Sequence, residues 1–158
     1  MVRLLQINYT DEERCKLKMS NWEKDTDLAT KHKIYTDLIM GGMRKGREDS
    51  FLNLAKEGIE KGLFYNVADI ETDSLGEAFE IGNLGPEEKI KRKGRMHSIS
   101  VGDILIDDVG IHLVDNFGFT KLATNPHNFM MAESSKLVNV GDNVLTSKYI
   151  VEDMSHRK

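Results

Sequence analysis

Three acidic residues, Asp69, Glu71 and Asp73, alternate along a stretch that is typical of extended chain, which places their carboxylates on one face of a strand. Carboxylate oxygens are ligands that Mg²⁺ prefers, and such a set could hold the metal ion of a nuclease. A metal nuclease usually also needs a positioned lysine or a further acid, which this pattern does not identify. A solvated strand end that runs into a helix cap is the favoured interpretation, and a small metal-dependent hydrolase or nuclease is kept as an alternative.

The five histidines have no spacing of three or four residues between any two of them, so no helix presents a local metal site. A site assembled by the fold, for example from His97, His112 and Asp115, is a minor alternative. The simpler prediction is that His97 caps the turn before Val101 and that His112 points outward from its strand.

Covalent and cofactor chemistry have little support in the sequence. Cys15 is the only cysteine, which excludes an intramolecular disulfide, and it lies in a charged helical stretch with no histidine nearby. We expect it to be a half-buried helix residue. The sequence contains no Walker loop, dinucleotide fingerprint, nucleophile elbow or metalloprotease helix, so no catalytic residue, metal site or cofactor is assigned.

A basic cluster is the sharpest charge feature of a chain whose net charge is −4. It consists of five residues: Lys89, Lys91, Arg92, Lys93 and Arg95. The cluster could contact phosphates, and a nucleic-acid-binding accessory protein is therefore an alternative function. It lacks interleaved aromatic residues, and an acidic stretch at residues 69–80 lies just upstream. Pairing within the chain, or a solvated face, is the favoured interpretation.

Aromatic residues and methionines in weakly patterned or charged segments form the candidate partner-binding surface. They are Trp22, Tyr35, Phe129, Met130 and Met131. Such side chains give large contact areas and adaptable packing at interfaces. The alternative for residues 129–131 is that they cover one end of a sheet. The same patch could also pair with itself in a homo-oligomer.

The elements that would carry these residues begin with a strand at 3–9 and a helix at 11–19. Thr10 and Glu13 have the spacing of a capping box at the start of that helix. Apolar spacing predicts further helices at about 25–40 and from Ser50 to Gly62, then a strand at 63–70. Thr72 or Asp73 is expected to cap a short helix through Phe79, and residues 82–86 are expected to form a turn.

The second half of the chain has β character. Residues 104–106 and 111–114 predict a hairpin, and a third short strand is expected at 120–123. Seven apolar residues are expected to be buried in one β-rich cluster: Ile99, Val101, Ile104, Ile106, Leu113, Phe117 and Phe119. Residues 125–135 are expected to form a loop or weak helix. The predicted fold class is α+β, with N-terminal helices packed on a C-terminal antiparallel sheet able to curve into a small barrel.

Residues 96–105, with the pattern Ser-x-Ser-x-Gly-Asp-Ile, and the following hairpin with Gly118-Phe119 resemble the YodL-like domain of small proteins from phages and mobile elements. Segments 67–75 and 78–83 resemble the lead-in to that domain. The resemblance covers residues 65–123 and divides the chain into an N-terminal region at 1–64, the YodL-like region, and an extension at 124–158. We expect these three to form one compact unit. The resemblance implies no catalytic residue.

Together these observations predict a non-enzymatic binding module, a phage or mobile-element accessory protein that modulates or inhibits a host protein such as a defence or regulatory factor. No apolar run approaches the roughly 20 residues that span a bilayer, and the apolar stretch within the first nine residues is too short for a signal peptide. We therefore expect the protein to act in the cytoplasm of a bacterial host, away from membranes.

Overall fold

The computed structural model describes residues 1–41, 48–116 and 118–123, together with the backbone of three short strands further on. Within these residues the helices are α1 (Asp11–Leu17), α2 (Thr26–Gly41), α3 (Glu48–Glu60) and α4 (Leu75–Leu84). The strands are β1 (Val2–Ile7), β2 (Phe64–Ile70), β3 (Ile90–Arg92), β4 (Ile104–Ile106), β5 (Ile111–Asp115), β6 (Gly118–Ala123), β7 (Phe129–Ala132), β8 (Leu137–Asn139) and β9 (Val151–Asp153). None of the described helices is long and apolar enough to cross a membrane.

Six strands form an antiparallel sheet in the order β3-β2-β1-β4-β5-β6. The first strand of the chain lies in its middle, where Leu4 is opposite both Ala68 of β2 and Leu105 of β4. All six residues of β1 are buried, because helices and loops cover both faces of the sheet. The α+β prediction is confirmed, and the barrel is wrong: β3 and β6 lie at opposite edges of an open sheet.

One face of the sheet packs against α2 and α3. Leu38 of α2 and Phe51 and Ile59 of α3 are buried there with Leu5, Phe64 and other sheet residues. Gly102 fits this contact for two reasons. Its φ of +95° favours glycine, and a Cβ at that position would lie 2.9 Å from Leu38. The turn before β4 therefore lies directly against α2.

The other face packs against α4 and the segment that leads into β4. Ala78 and Ile81 of α4 are buried with Ile70 and Ile99. Asn83 fixes this segment, since its Nδ2 donates to Ile99 O (3.1 Å) and its Oδ1 accepts from Ile99 N (2.6 Å). A Cβ on Gly82 would collide with Ile99, so this glycine permits the close approach.

The predicted single β-rich cluster is wrong, because its members divide between the two faces. Ile104, Ile106 and Leu113 are buried on the α2–α3 face, whereas Ile99 is buried on the α4 face. The partly buried residues divide in the same way, Val101 with the first group and Phe119 with the second. Phe117 lies outside the described residues. Successive residues of a strand point to opposite faces, so a sheet covered on both sides splits such a set.

Local signals predicted several elements well. The capping box at α1 is present, with Thr10 Oγ1 accepting from Glu13 N (3.1 Å) and Thr10 N donating to Glu13 Oε1 (2.8 Å). The cap of α4 is Ser74 rather than Thr72 or Asp73, and the helix runs on to Leu84, through part of the expected turn. A strand, β7, occupies part of 125–135 instead of a loop or weak helix.

Candidate functional site

Aromatic rings and histidines form a cluster beside the end of β1, and this aromatic cluster consists of Tyr9, Trp22, His32, Tyr35 and His97. Trp22 belongs to a short 3-10 helix (Trp22–Lys24), and its ring meets the His32 ring edge-on with centroids 5.1 Å apart. Tyr35 lies three residues after His32 on α2, and their rings are stacked at 6.5 Å. The ring of Tyr35 also contacts two other rings edge-on, with its centroid 5.5 Å from that of Tyr9 and 6.5 Å from that of His97. The fold thus connects Trp22 and Tyr35, two residues of the expected partner surface, through His32.

Tyr9 is held inside this cluster by a hydrogen bond and a cation. Its hydroxyl lies 3.0 Å from His32 Nδ1, and Lys31 Nζ lies 5.1 Å from the centroid of its ring. Burial, with smaller contributions from Tyr35 and Glu13, raises the pKa of Tyr9 far above its usual value. The phenol is therefore a weaker acid than an ordinary tyrosine, and it stays protonated further into the alkaline range.

Lys31 is the buried charge of this region. It is 6% exposed and pairs with Glu13 Oε1 at 3.0 Å. Burial alone would raise the pKa of Glu13, but hydrogen bonds from Thr10 and Lys31 bring it below its usual range. Because the pair is largely withdrawn from water, it joins α1 to α2 and fixes the base of the aromatic cluster.

A polar network next to the cluster ties the loop before β4 to β1. Gln6 donates from Nε2 to Asp103 Oδ2 (2.9 Å) and to His97 O (2.9 Å), and its Oε1 accepts from His97 N (3.1 Å). Ser100 N also donates to Asp103 Oδ2 (3.0 Å). Burial raises the pKa of Asp103 to about 7, although the neighbouring His97 and these hydrogen bonds oppose the rise. Asp103 is only 5% exposed, so its observed role is to hold the loop in place.

Gln6, Tyr9 and Asp103 were not among the predicted site residues, and His97 was considered only as a metal ligand or a turn cap. One signal for Gln6 was available, since Gln6 and Arg3 are the only polar residues of a strand whose other four residues are apolar. A buried amide in such a position needs partners. Those partners lie 91 and 97 residues away, which no local pattern could identify.

Every member of the basic cluster is paired with a carboxylate. The pairs are Lys89–Glu77 (4.0 Å), Lys91–Glu71 (3.3 Å), Arg92–Glu87 (2.9 Å), Lys93–Asp69 (3.0 Å) and Arg95–Asp11 (3.3 Å). Two of these residues, Lys91 and Arg92, lie on the edge strand β3, which the sequence analysis had not predicted. This agrees with the favoured interpretation of pairing within the chain. Charged side chains on an edge strand also discourage pairing with the edge of another sheet.

The three acids considered as metal ligands are likewise held by separate cations. Asp69 pairs with Lys93, Glu71 with Lys91, and Asp73 with the amino group of Met1 (2.7 Å). No group of three or more metal-ligating side chains occurs in the described part of the chain.

Two expectations for single residues are wrong, and one further call falls on side chains outside the described residues. The prediction that His112 points outward is wrong, because it is 7% exposed and its Nε2 lies 2.9 Å from Asp107 Oδ1. Cys15 is exposed rather than half-buried. The side chains of Phe129, Met130 and Met131 lie outside the described residues, although their backbone forms strand β7.

No family model, curated protein or solved structure matches this chain. The resemblance of residues 65–123 to the YodL-like domain therefore stays a prediction.

Proposed function

We propose that this chain is a non-enzymatic binding module of a phage or mobile element, acting in the bacterial cytoplasm. In this proposal it modulates or inhibits a host protein, such as a defence or regulatory factor, by occupying part of that protein's surface. The resemblance to YodL-like domains supports the biological setting. The aromatic cluster supports the mode of action.

The observation that carries the proposal is a row of partly exposed rings on a rigid base. Trp22, His32 and Tyr35 are each neither fully buried nor fully exposed, and their ring contacts fix them relative to one another. Residues held in this way lose little conformational entropy on binding, and Trp and Tyr contribute strongly at interfaces. The row would therefore offer a preformed contact surface.

One exposed methionine adjoins this row in the chain, and a second lies on the helix that carries His32 and Tyr35. Met19, at 60% exposure, precedes Trp22 by one turn, and Trp22 N donates to Met19 O (3.4 Å). Met40, at 47% exposure, lies further along α2. Flexible, polarizable methionine side chains next to rigid rings are suited to a protein partner, because they adapt to the opposing surface.

Substitutions at Met19 and Trp22 test the proposal, with Leu84→Ser as the matched control. Leu84 is an apolar residue of α4 with 82% exposure, so its replacement changes a surface away from the aromatic cluster. The tagged protein is used to isolate a partner from bacterial lysate, and the affinity of the purified pair is then measured. We expect Met19→Ser and Trp22→Ala each to weaken binding at least tenfold, while the control binds like the parent chain.

Thermal melting of each variant separates loss of contact from loss of fold. Met19→Ser removes an exposed side chain and is expected to leave the melting temperature unchanged. A partner that binds this variant, Trp22→Ala and the parent chain equally well would contradict the proposed surface. Equal loss of binding in the Leu84→Ser control would contradict it as well.

A further inference from the structure

Arg14 of α1 is a partly buried cation that adjoins the aromatic cluster. Its Nε donates to Tyr9 O (3.2 Å), and its Nη2 donates to Asn8 Oδ1 (3.0 Å). Its Nη1 makes no hydrogen bond with a described residue, and Nη1 is not one of the polar atoms that burial leaves without either solvent or a partner. This nitrogen therefore remains accessible, while the other two hold the guanidinium in place beside Tyr9.

No carboxylate in the described part of the chain forms a salt bridge with Arg14. The three acids that precede it in α1 are each paired with a different cation. The pairs are Asp11–Arg95 (3.3 Å), Glu12–Lys16 (3.6 Å) and Glu13–Lys31 (3.0 Å). A negative group brought by a partner would therefore complement a charge that α1 itself does not balance.

The Tyr35 hydroxyl is the second available donor of this surface. The Tyr35 ring is fixed by its ring contacts, yet its hydroxyl makes no hydrogen bond with a described residue and is likewise not cut off from solvent. Burial and the nearby Asp103 raise the pKa of Tyr35, whereas the charge of Arg14 lowers it. Arg14 is therefore close enough to act on this hydroxyl, as expected from the shared neighbour Tyr9.

A carboxylate fits these two donors better than a phosphate group. Guanidinium N–H groups and hydroxyls form charge-assisted hydrogen bonds to carboxylate oxygens. One cation balances the single charge of a carboxylate, whereas a phosphate monoester carries about −1.5 to −2 at neutral pH. Because Tyr35 stacks on His32, and His32 meets Trp22, an apolar group on this row and a carboxylate at Arg14 would be neighbours. A short segment with an acidic residue beside an apolar one offers both.

We propose that Arg14 and Tyr35 bind a carboxylate of the protein partner, from an aspartate or glutamate that adjoins the side chain seated on the aromatic cluster. Arg14 Nη1 and the Tyr35 hydroxyl supply the hydrogen-bond donors, and the guanidinium supplies the opposite charge. This assignment rests on the proposed function, because it specifies the partner of the same surface. The partner segment is therefore acidic as well as apolar.

A random peptide library supplies the probe. Peptides are selected on the immobilised full chain, and the tightest binder is synthesised with a fluorescent label for anisotropy titrations. We expect the selected sequences to place Asp or Glu next to an aromatic or aliphatic residue. Replacing that acid in the synthetic peptide by Asn or Gln should weaken binding to the parent chain about tenfold, because a charge-assisted hydrogen bond is lost.

Three variants of the chain locate the carboxylate. Arg14→Gln should bind the acidic peptide about tenfold more weakly and should no longer distinguish it from the amide form. Tyr35→Phe keeps the ring and should weaken the acidic peptide about fivefold. Lys121→Gln removes the same charge from β6, three strands away from β1, and should bind both peptides like the parent chain. Tyr35→Phe and the amide peptide keep the test valid if Arg14→Gln melts early, because neither removes a hydrogen bond within the described residues.

The outcomes separate this site from the proposed function. Equal binding of the acidic and amide peptides, or a preference that persists in Arg14→Gln, would overturn the carboxylate site, whereas loss of both peptides by Trp22→Ala would still support the proposed surface. A selection that yields no binder, or binders that Trp22→Ala retains, would contradict both proposals. A phosphoserine in place of the acid that binds about tenfold more tightly would overturn the choice of a carboxylate and assign the site to phosphate groups.

Discussion

Replacing Asp103 by Asn tests the reasoning about the buried polar network most directly. In the folded protein burial raises the pKa of this carboxyl from its ordinary value of 3.8 to about 7. Between these two pH values the folded protein keeps a proton that the unfolded chain has released. The free energy of unfolding therefore falls as the pH rises from about 4 to about 7, and it levels off above that range.

The magnitude follows from the two pKa values. They differ by about three pH units, and each unit corresponds to about 1.4 kcal/mol, so Asp103 alone accounts for a loss of at most about 4 kcal/mol across this range. The lowered pKa values of Glu13, Asp25 and Asp107 act in the opposite direction, but their contributions are lost below about pH 4. Above about pH 4 these three acids therefore add little to the slope to which Asp103 contributes.

Urea denaturation at pH 5, 6, 7 and 8, followed by circular dichroism, provides the assay. Asn has nearly the same shape as Asp, and its amide oxygen can still accept from Gln6 and Ser100 N. We expect Asp103→Asn to flatten the pH dependence and to be more stable than the parent chain at pH 8, because no charge then has to be buried. Asp37→Asn, at a partly exposed pair with Lys33, is the control and should keep the parent pH dependence.

Two results would refute this reasoning. The first is a parent chain equally stable at pH 5 and pH 8. The second is an Asp103→Asn variant that keeps the parent slope, since the slope would then arise from other groups. A variant that is less stable than the parent at pH 8 would show that the hydrogen bonds of the carboxylate outweigh the cost of its burial.

Three further predictions concern the other charged and apolar features. Lys31→Met should lower the free energy of unfolding by about 2 kcal/mol in urea denaturation, because Glu13 loses its cation and keeps only the hydrogen bond from Thr10 N. An unchanged value would contradict the role assigned to this pair. Fluorescence anisotropy should show that random duplex DNA binds more weakly than micromolar at physiological salt, because each lysine and arginine of the basic cluster already forms a salt bridge with a carboxylate. Sub-micromolar binding that is lost when three of these lysines and arginines are replaced by neutral residues would instead support the alternative function of nucleic-acid binding. Replacing Phe129 and Met130 together by Ser should reduce partner binding or self-association in light scattering at an unchanged melting temperature, whereas a large drop in melting temperature would place them in a core.

The sequence by itself determined the elements that depend on neighbouring residues. The capping box needs only Thr10 and Glu13, three residues apart, and the hairpin of β4 and β5 needs only two apolar stretches and a turn between them. The α+β class follows from such local patterns, because helical and strand periodicities are visible within one element. The pairing of the basic cluster within the chain was also favoured, since an excess of acids lies close to it in sequence.

The tertiary structure alone decided which residues meet. The position of β1 in the middle of the sheet depends on pairing with strands more than 50 residues away, and coverage of both faces divides the β core in two. The same long-range pairing brings Gln6 to Asp103 and gives Tyr9 its contacts with α2. Burial then sets the pKa of Asp103, because a carboxyl loses the solvation of its charge only when distant segments enclose it. A one-dimensional pattern records the type of each residue but not this enclosure, which is why the candidate site became visible only in the folded chain.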